Sequence, residues 1–530
     1  MKTLIAFVTA CILWGTQNVQ GEDAVQSVGR LSDYRQTSQY YKELHRPQFH
    51  FTPPMNWMND PNGMVFYDGE YHLFYQHNPH GNTWGHMSWG HAVSTDLVHW
   101  EHLPIALQDN YGVMIFSGSA VVDVKNTSGF GNSKKPPLVA IYTGHGHGKQ
   151  TQDIAFSNDR GRTWIKYEGN PVIDMNMADF RDPKVFWHEA TQKWIMTVSI
   201  PLERKVRFYG SPNLKEWDLF SEFGPEGAVK GIWECPDLFP LKIEGTNKSK
   251  WVLIVNIGSE SIAGGSGCQY FIGEFDGKHF NVDTTQHSSD PSGESANWVD
   301  HGKDFYAAVS WSDVPESDGR RLWLGWMSNW QYANNIPTHP WRSAMSIPRS
   351  LSLKETSNGL RMVQSPVKEL RKLRSQKIEY KGLEIEKGTS KFAKSELSGK
   401  RLEIIANINP GTASEVGFRL RKGMNEASLV GFNATHKKLF VDRTNSGNVT
   451  FHKDFTGKHE GPLELENGHI HLHIFLDDSS IEVFGNRGET VLSERIFPSP
   501  ENIEVEYYSK GGDSKINSLR AWNLKSIWHP

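Results

Sequence analysis

Three cysteines in 530 residues are too few for a disulfide-stapled scaffold, so stability has to come from packed cores. Basic and acidic side chains nearly cancel, 56 against 60, which leaves no polybasic surface for nucleic acid or an anionic membrane. No apolar run reaches the ~20 residues that cross a bilayer. No Walker A, G-x-G-x-x-G or G-x-S-x-G signature occurs in a strand–helix setting. What the chain has instead is 48 glycines and 19 tryptophans, with 12% aromatic residues overall. That pairing points to many short strands and tight turns rather than long helices. Tryptophan at this density has to pack a large core or stack on a ligand.

Residues 1–21 read as a secretory leader: Lys2, an apolar run from Leu4 to Trp14, then Val19-Gln20-Gly21 as a small-residue cleavage site. The expected location is therefore extracellular. Removing the leader takes Cys11 with it, leaving Cys235 and Cys268 either paired or as buried thiols. Four N-x-S/T sequons, at Asn126, Asn247, Asn433 and Asn448, suit a glycosylated secreted protein.

A unit of roughly sixty residues repeats along the first two-thirds of the chain. Asp60-Pro61, Asp182-Pro183 and Pro236-Asp237 each lead into an apolar strand, a turn and a second strand carrying Trp or Tyr. Ser117 and Asp304 open looser copies. A second marker recurs about halfway between some of these starts, in 94–100, 157–164 and 211–217. Each closes a turn with Asp or Asn and ends on a tryptophan, Trp100, Trp164 or Trp217. Units of this length and texture read as four-stranded propeller blades, and five would fill residues 45–350. Residues 351–376 are expected to be a linker, its charged end (365–376) holding at most one or two helical turns. From 377 to 530 the apolar positions alternate with period two, as in an antiparallel β-sandwich. The expected fold class is all-β: a five-bladed β-propeller followed by a sandwich.

Equivalent residues at blade starts converge on one funnel, so Asp60, Asp182, Glu234 and Asp237 are expected to lie close together. Carboxylates brought together from separate blades repel one another, a cost that makes sense where chemistry uses the shifted protonation. Trp57, Trp84, Phe116 and Trp233 sit among them in sequence. Carboxylates ringed by aromatic platforms suit a sugar, and glycoside hydrolysis needs two carboxyl groups in complementary roles. Alone, Asp60 could cap a turn, Asp182 could pair with Arg181, and Glu234 could be an ordinary loop charge; together and in order they carry the catalytic reading. Asp237 is expected to support the site or to form a turn rather than react.

No metal and no cofactor are expected. Gly-His-Gly-His-Gly (144–148) lacks zinc-ligand spacing, and His469, His471 and His473 read as one polar strand face. His72, His77, His80, His86 and His91 alternate with aromatics as strand residues do.

The motifs Trp-Met-Asn-Asp-Pro-Asn-Gly (57–63), Phe-Ser-Gly-Ser (116–119), Arg-Asp-Pro-Lys (181–184) and Glu-Cys-Pro-Asp (234–237) resemble the ordered signatures of glycoside hydrolase family 32. That family comprises invertases, levanases and inulinases. The resemblance runs on through 304–307, 326–332, 340–345 and 479–484, so it covers about residues 45–525, and the chain looks most like the family's secreted bacterial levanase branch. The resemblance implies a retaining β-fructofuranosidase, with Asp60 as nucleophile, Glu234 as general acid/base and Asp182 as the residue that grips fructose and stabilises the transition state. It further implies that Trp57, Met58, Asn59, Gln76, Trp84, Phe116, Ser117 and Arg181 form the fructose pocket. The expected substrate is sucrose, with exo-acting hydrolysis of levan or inulin as the alternative. A fructosyltransferase, an arabinanase-like enzyme and a propeller that only binds carbohydrate are the rival readings.

Overall fold

The Asp-Pro repeat is the repeat of the fold. In the computed structural model, which describes residues 40–110, 112–132, 135–283, 296–388, 390–392 and 397–528, each copy opens the innermost strand of an antiparallel sheet. The leader read at residues 1–21 lies outside the described residues. The five innermost strands are Asn56–Tyr67, Met114–Val122, Arg181–His188, Trp233–Lys242 and Tyr306–Ser310. Each starts a sheet of four or five strands. Each innermost strand touches the next, and Tyr306–Ser310 returns to Asn56–Tyr67, so the sheets close into a ring. Two devices seal that closure: the short strand Trp341–Arg342 pairs in parallel with Asn56 and Trp57, and Val65 bridges Ser312. A propeller closed in this way exposes no long unpaired inner edge.

Sequence accounts for these sheets strand by strand. Second strands such as Leu138–Gly146 and Ser249–Ile257 are nearly continuous apolar runs, because each is covered by neighbouring blades on both faces. The three tryptophan-ended markers link third strands to fourth strands. Asp96 accepts from the Val98 and His99 N–H groups, Asp159 from Thr163, and Asn213 from Lys215 and Glu216. The indoles of Trp164 and Trp217 then donate back to Gly161 and Leu214, three residues upstream. These rings pack against the turns they end, as expected.

The expected linker needs correction. Residues Arg349–Thr356 and Gly359–Pro366 are the last two strands of the fifth sheet, paired through Arg321–Trp326 to the innermost strand. The sequence rhythm breaks there because a long excursion, which carries the Trp341–Arg342 closing strand, separates the second strand from the third. Only Lys368–Leu373 connects the units, as a 3-10 helix with Leu370 and Leu373 buried. From Arg374 onward two six-stranded antiparallel sheets form a sandwich. Leu402, Ile404, Ala406 and Ile408 face Ile470, Leu472, Ile474 and Leu476 inside its core. His471 and His473 alternate outward, and His473 Nε2 lies 2.8 Å from Glu403, a polar face as read from the sequence.

Propeller and sandwich meet on buried charge. Arg349 binds Asp300 and Glu482, Arg443 binds Asp304 and Glu494, and His50 sits between Asp477 (2.7 Å) and Glu482 (3.0 Å). Of the four sequons, Asn126, Asn247 and Asn448 are exposed and Asn433 is half-buried. Cys235 and Cys268 are both free, buried thiols.

Candidate active site

All five innermost strands slip register against their partners at the same depth. The slips fall between Met58 and Pro61, Ile115 and Gly118, Arg181 and Lys184, Glu234 and Asp237, and Tyr306 and Val309. A bulge adds a residue and re-aims side chains. Here it carries Asn59, Asp60, Phe116, Ser117, Asp182 and Cys235. Proline follows Asp60, Asp182 and Cys235 because a residue in a bulge need not donate to the ladder. Asp182, Cys235 and Ala307 also adopt positive φ (69°, 44° and 52°). For non-glycine residues that conformation costs on the order of 1 kcal/mol or more and persists only when neighbours hold it. Thr143 Oγ1 receives the Asp182 N–H (3.0 Å), Asp182 Oδ2 receives the Cys235 N–H (3.0 Å), and Asn256 receives the Ala308 N–H (3.2 Å).

Three carboxyl groups from three blades meet in this ring. Asp60, almost fully buried, accepts from Asn59 Nδ2 at 3.0 Å and from the Ser117 hydroxyl at 2.8 Å. Glu234 accepts from Arg181 Nε at 2.9 Å through one oxygen and from the Tyr306 hydroxyl through the other. Arg181 also holds Asp179 (2.7 Å) and Gln150 (3.2 Å). Burial, aided by the charge of Glu234, pushes the Asp60 carboxyl up to about 6 against its Asn59 and Ser117 hydrogen bonds. Burial also raises Asp182; Arg181 opposes this, while Glu234 and Asp60 reinforce it. Arg181 is driven further into its charged form, the attraction of Glu234 and Asp182 outweighing its own burial. Burial and the three carboxyls keep the Cys235 thiol protonated, and it donates to Asp60 Oδ2 at 3.7 Å. Asp237 lies in the strand beneath, fully buried, accepting from the Ser310 N–H and 3.8 Å from Lys184 Nζ; it ties three blades together.

Several residues expected in the pocket take other places. Trp57 and Met58 are wholly buried in the propeller core and present no face to a ligand. The Trp57 indole donates to Asn59 Oδ1 at 2.6 Å, so it orients the amide that holds Asp60. Trp233 is also a core ring, packed on Phe223 and Phe271 with its N–H on Ala228. Adjacency in sequence to a motif does not say which side of a strand a ring takes. Gln76 is buried and bonds the Ile115 carbonyl, joining the first two blades. Trp84 is the exposed ring (42%), edge-on to the half-buried Phe116. Trp326 and Trp341 are core residues, whereas the half-buried Trp330 stacks beside Trp57. Among the described residues, no group of three or more His, Cys, Asp or Glu side chains is placed to hold a metal.

Sequence reasoning missed Tyr306, whose signal was its place in Asp-Phe-Tyr-Ala at the fifth blade start. Tyr306→Phe removes one of two donors on Glu234 and is expected to lower kcat/KM by roughly tenfold, read by steady-state kinetics with melting temperature as the control for folding.

The profile of the Glycosyl hydrolases family 32 N-terminal domain matches residues 50–366, and that of the family's C-terminal domain matches residues 369–523. A levanase of Bacillus subtilis (strain 168) is 53% identical over 497 residues, covering 93% of this chain and 72% of that protein. An extracellular exo-inulinase of Aspergillus niger is 42% identical over 521 residues, covering 92% and 96%. The crystal structure of an exo-inulinase from Aspergillus awamori superposes with a TM-score of 0.86 at 40% identity, covering 92% of this chain and 100% of that one. A β-fructofuranosidase from Schwanniomyces occidentalis complexed with fructosyl-erythritol gives 0.84 at 34% identity, covering 92% and 99%. With both of its domains matched across the propeller and the sandwich, the chain belongs to glycoside hydrolase family 32.

Proposed function

We propose that the protein is a retaining, exo-acting β-fructofuranosidase that releases terminal fructose from fructans and from sucrose. The observation that carries this reading is the unequal partnering of two converging carboxyl groups. Asp60 is held by neutral donors, the Asn59 amide, the Ser117 hydroxyl and the Cys235 thiol, and by no direct cation, which leaves an oxygen lone pair to attack. Glu234 is gripped by Arg181 and Tyr306, which orient it for proton transfer. In the first step Asp60 bonds the anomeric carbon of fructose while Glu234 gives its proton to the departing oxygen. In the second step Glu234 takes a proton from water, the water oxygen bonds the same carbon, and Asp60 is released. Asp182, beside Arg181, is assigned to the fructose hydroxyls.

The attack needs Asp60 as an anion, and burial holds that carboxyl up at about 6. Initial rates are therefore expected to fall about tenfold per pH unit below pH 6, with an acid limb whose midpoint lies near 6. A rate that stays flat down to pH 4.5 would show that burial does not hold the Asp60 carboxyl near 6.

The test of function is release of reducing sugar from levan, inulin and sucrose side by side, with Asp60→Asn as the blank. Free fructose from at least one is expected, with levan and inulin favoured by the levanase and exo-inulinase relatives. No fructose from any of the three would sink the reading. Action outside the cell is part of the same proposal, supported by the leader-like sequence of residues 1–21, the exposed sequons at Asn126, Asn247 and Asn448, and relatives named extracellular.

A further inference from the structure

The Gly-His-Gly-His-Gly tract is not a metal site, and its two histidines do different things. His147 and Gly148, both at positive φ (53° and 77°), form the two-residue turn of a hairpin, with His145 paired to Gln150 and Gly146 to Lys149. His145 stands just before that turn, half-buried on the rim of the second blade. Its ring lies flat on Phe116, centroids 4.5 Å apart and planes 5° from parallel. Phe116 meets Trp84 edge-on at 6.0 Å, so the three rings make one ledge.

The hydrogen bonds around His145 fix its tautomer. Gln150 Oε1 accepts from the Phe180 N–H (2.8 Å) and from Arg181 Nη1 (3.2 Å), so the amide nitrogen of Gln150 faces His145 Nδ1 at 3.2 Å. An amide nitrogen only donates; Nδ1 must therefore accept, and the ring proton sits on Nε2. Burial and the nearby Arg181 charge lower the affinity of this imidazole for a second proton. Nε2–H is thus a neutral donor on the ledge.

The position of the ledge says what it meets. One end is joined through Ser117 to Asp60. The other is joined through Gln150 and Arg181 to Glu234, the group assigned to protonate the departing oxygen. What lies beyond that oxygen is the leaving sugar, whose C–H face suits aromatic rings and whose hydroxyls suit a neutral donor. Resting on the function proposed above, we propose that His145 binds the leaving sugar through Nε2–H and thereby favours substrates whose leaving group is a sugar ring.

The experiment compares sucrose and inulin with methyl β-D-fructofuranoside, whose leaving group is methanol. For His145→Ala, the ratio of kcat/KM on sucrose or inulin to kcat/KM on the methyl fructoside is expected to fall about tenfold. His145→Gln, which keeps a donor, is expected to restore part of the ratio. A merely structural role through Phe116 would disturb Asp60 and slow all three substrates together. Ratios within twofold of wild type for both sugars overturn the proposal. Wild-type protein inactive on all three substrates overturns the underlying function instead, and is seen before any variant is made.

Discussion

Asp60→Asn is expected to abolish fructose release, lowering kcat by about 10^4-fold or more, and at the same time to raise the melting temperature at pH 7. Loss of the nucleophile removes the covalent intermediate, and an amide of the same shape cannot replace it. The stability gain follows from the environment of the carboxyl. Asp60 is buried among neutral donors, Asn59, Ser117 and the Cys235 thiol, and Glu234 stands nearby. Burial raises its carboxyl from 3.8 to about 6, so the folded protein binds this proton more tightly than the unfolded chain does. Such a group favours the fold below about pH 4, and its penalty grows as pH rises through about 6, reaching on the order of 3 kcal/mol. Asparagine carries no charge to desolvate, and the Ser117 hydroxyl can turn to accept from its amide. The measurement is melting temperature at pH 4 and pH 7 for both proteins, alongside activity. A gain of several degrees at pH 7 that vanishes at pH 4 is the expected pattern. An equal shift at both values would contradict the raised carboxyl, and more than 1% of wild-type activity would contradict the role assigned to Asp60.

The same chemistry explains which parts of the molecule were legible in the sequence. Asp60-Pro61, Asp182-Pro183 and Pro236-Asp237 stand out because a bulge tolerates proline where a regular ladder does not, and the bulge is what turns a carboxyl into the funnel. Fold and reactive groups therefore share one signal. Trp57, Met58 and Trp233 were misplaced because each sits one to three residues from a reactive group yet points into a core. Strand alternation cannot be counted across the slip that separates Trp57 and Met58 from Asp60, whereas Trp233, regularly paired beside Glu234, takes the opposite face of its strand. The hydrogen bond from Tyr306 to Glu234 spans 72 residues, and the Gln150–Arg181 bond is set by the packing of two blades. Contacts of this kind have no periodicity to read. Residues 351–366 looked like a linker because their strands pair with a partner placed before a long insertion.

His50→Gln is expected to destabilise the protein strongly below pH 7 and hardly at all above pH 9. Burial alone would strip the proton from His50, but hydrogen bonds to Asp477 and Glu482 overcome it and raise the imidazole from 6.5 to about 9. Asp477 and Glu482 are correspondingly held in their charged form, the hydrogen bonds of His50 to both and the charge of Arg349 near Glu482 outweighing burial. The protonated ring thus lies between two sandwich carboxylates, one of which also receives Arg349 from the propeller. A group with a raised value stabilises the fold fully below its unfolded value of 6.5 and loses that contribution as pH climbs through about 9. The contribution at its maximum is on the order of 3 kcal/mol, and removing one member of a buried charge cluster typically costs about 3–5 kcal/mol. Glutamine can still donate to one carboxylate but leaves Asp477 without its cation and Glu482 with Arg349 alone. Melting temperature between pH 5 and pH 10 reads the difference. Wild type is expected to lose stability above pH 8, with the variant's curve lower by roughly 5 °C or more at pH 6 and converging on it near pH 10. Parallel curves across the whole range would mean that His50 is neutral in the fold, with Glu482 held by Arg349 and the Ile347 N–H and Asp477 by the Gln48 and Phe49 N–H groups.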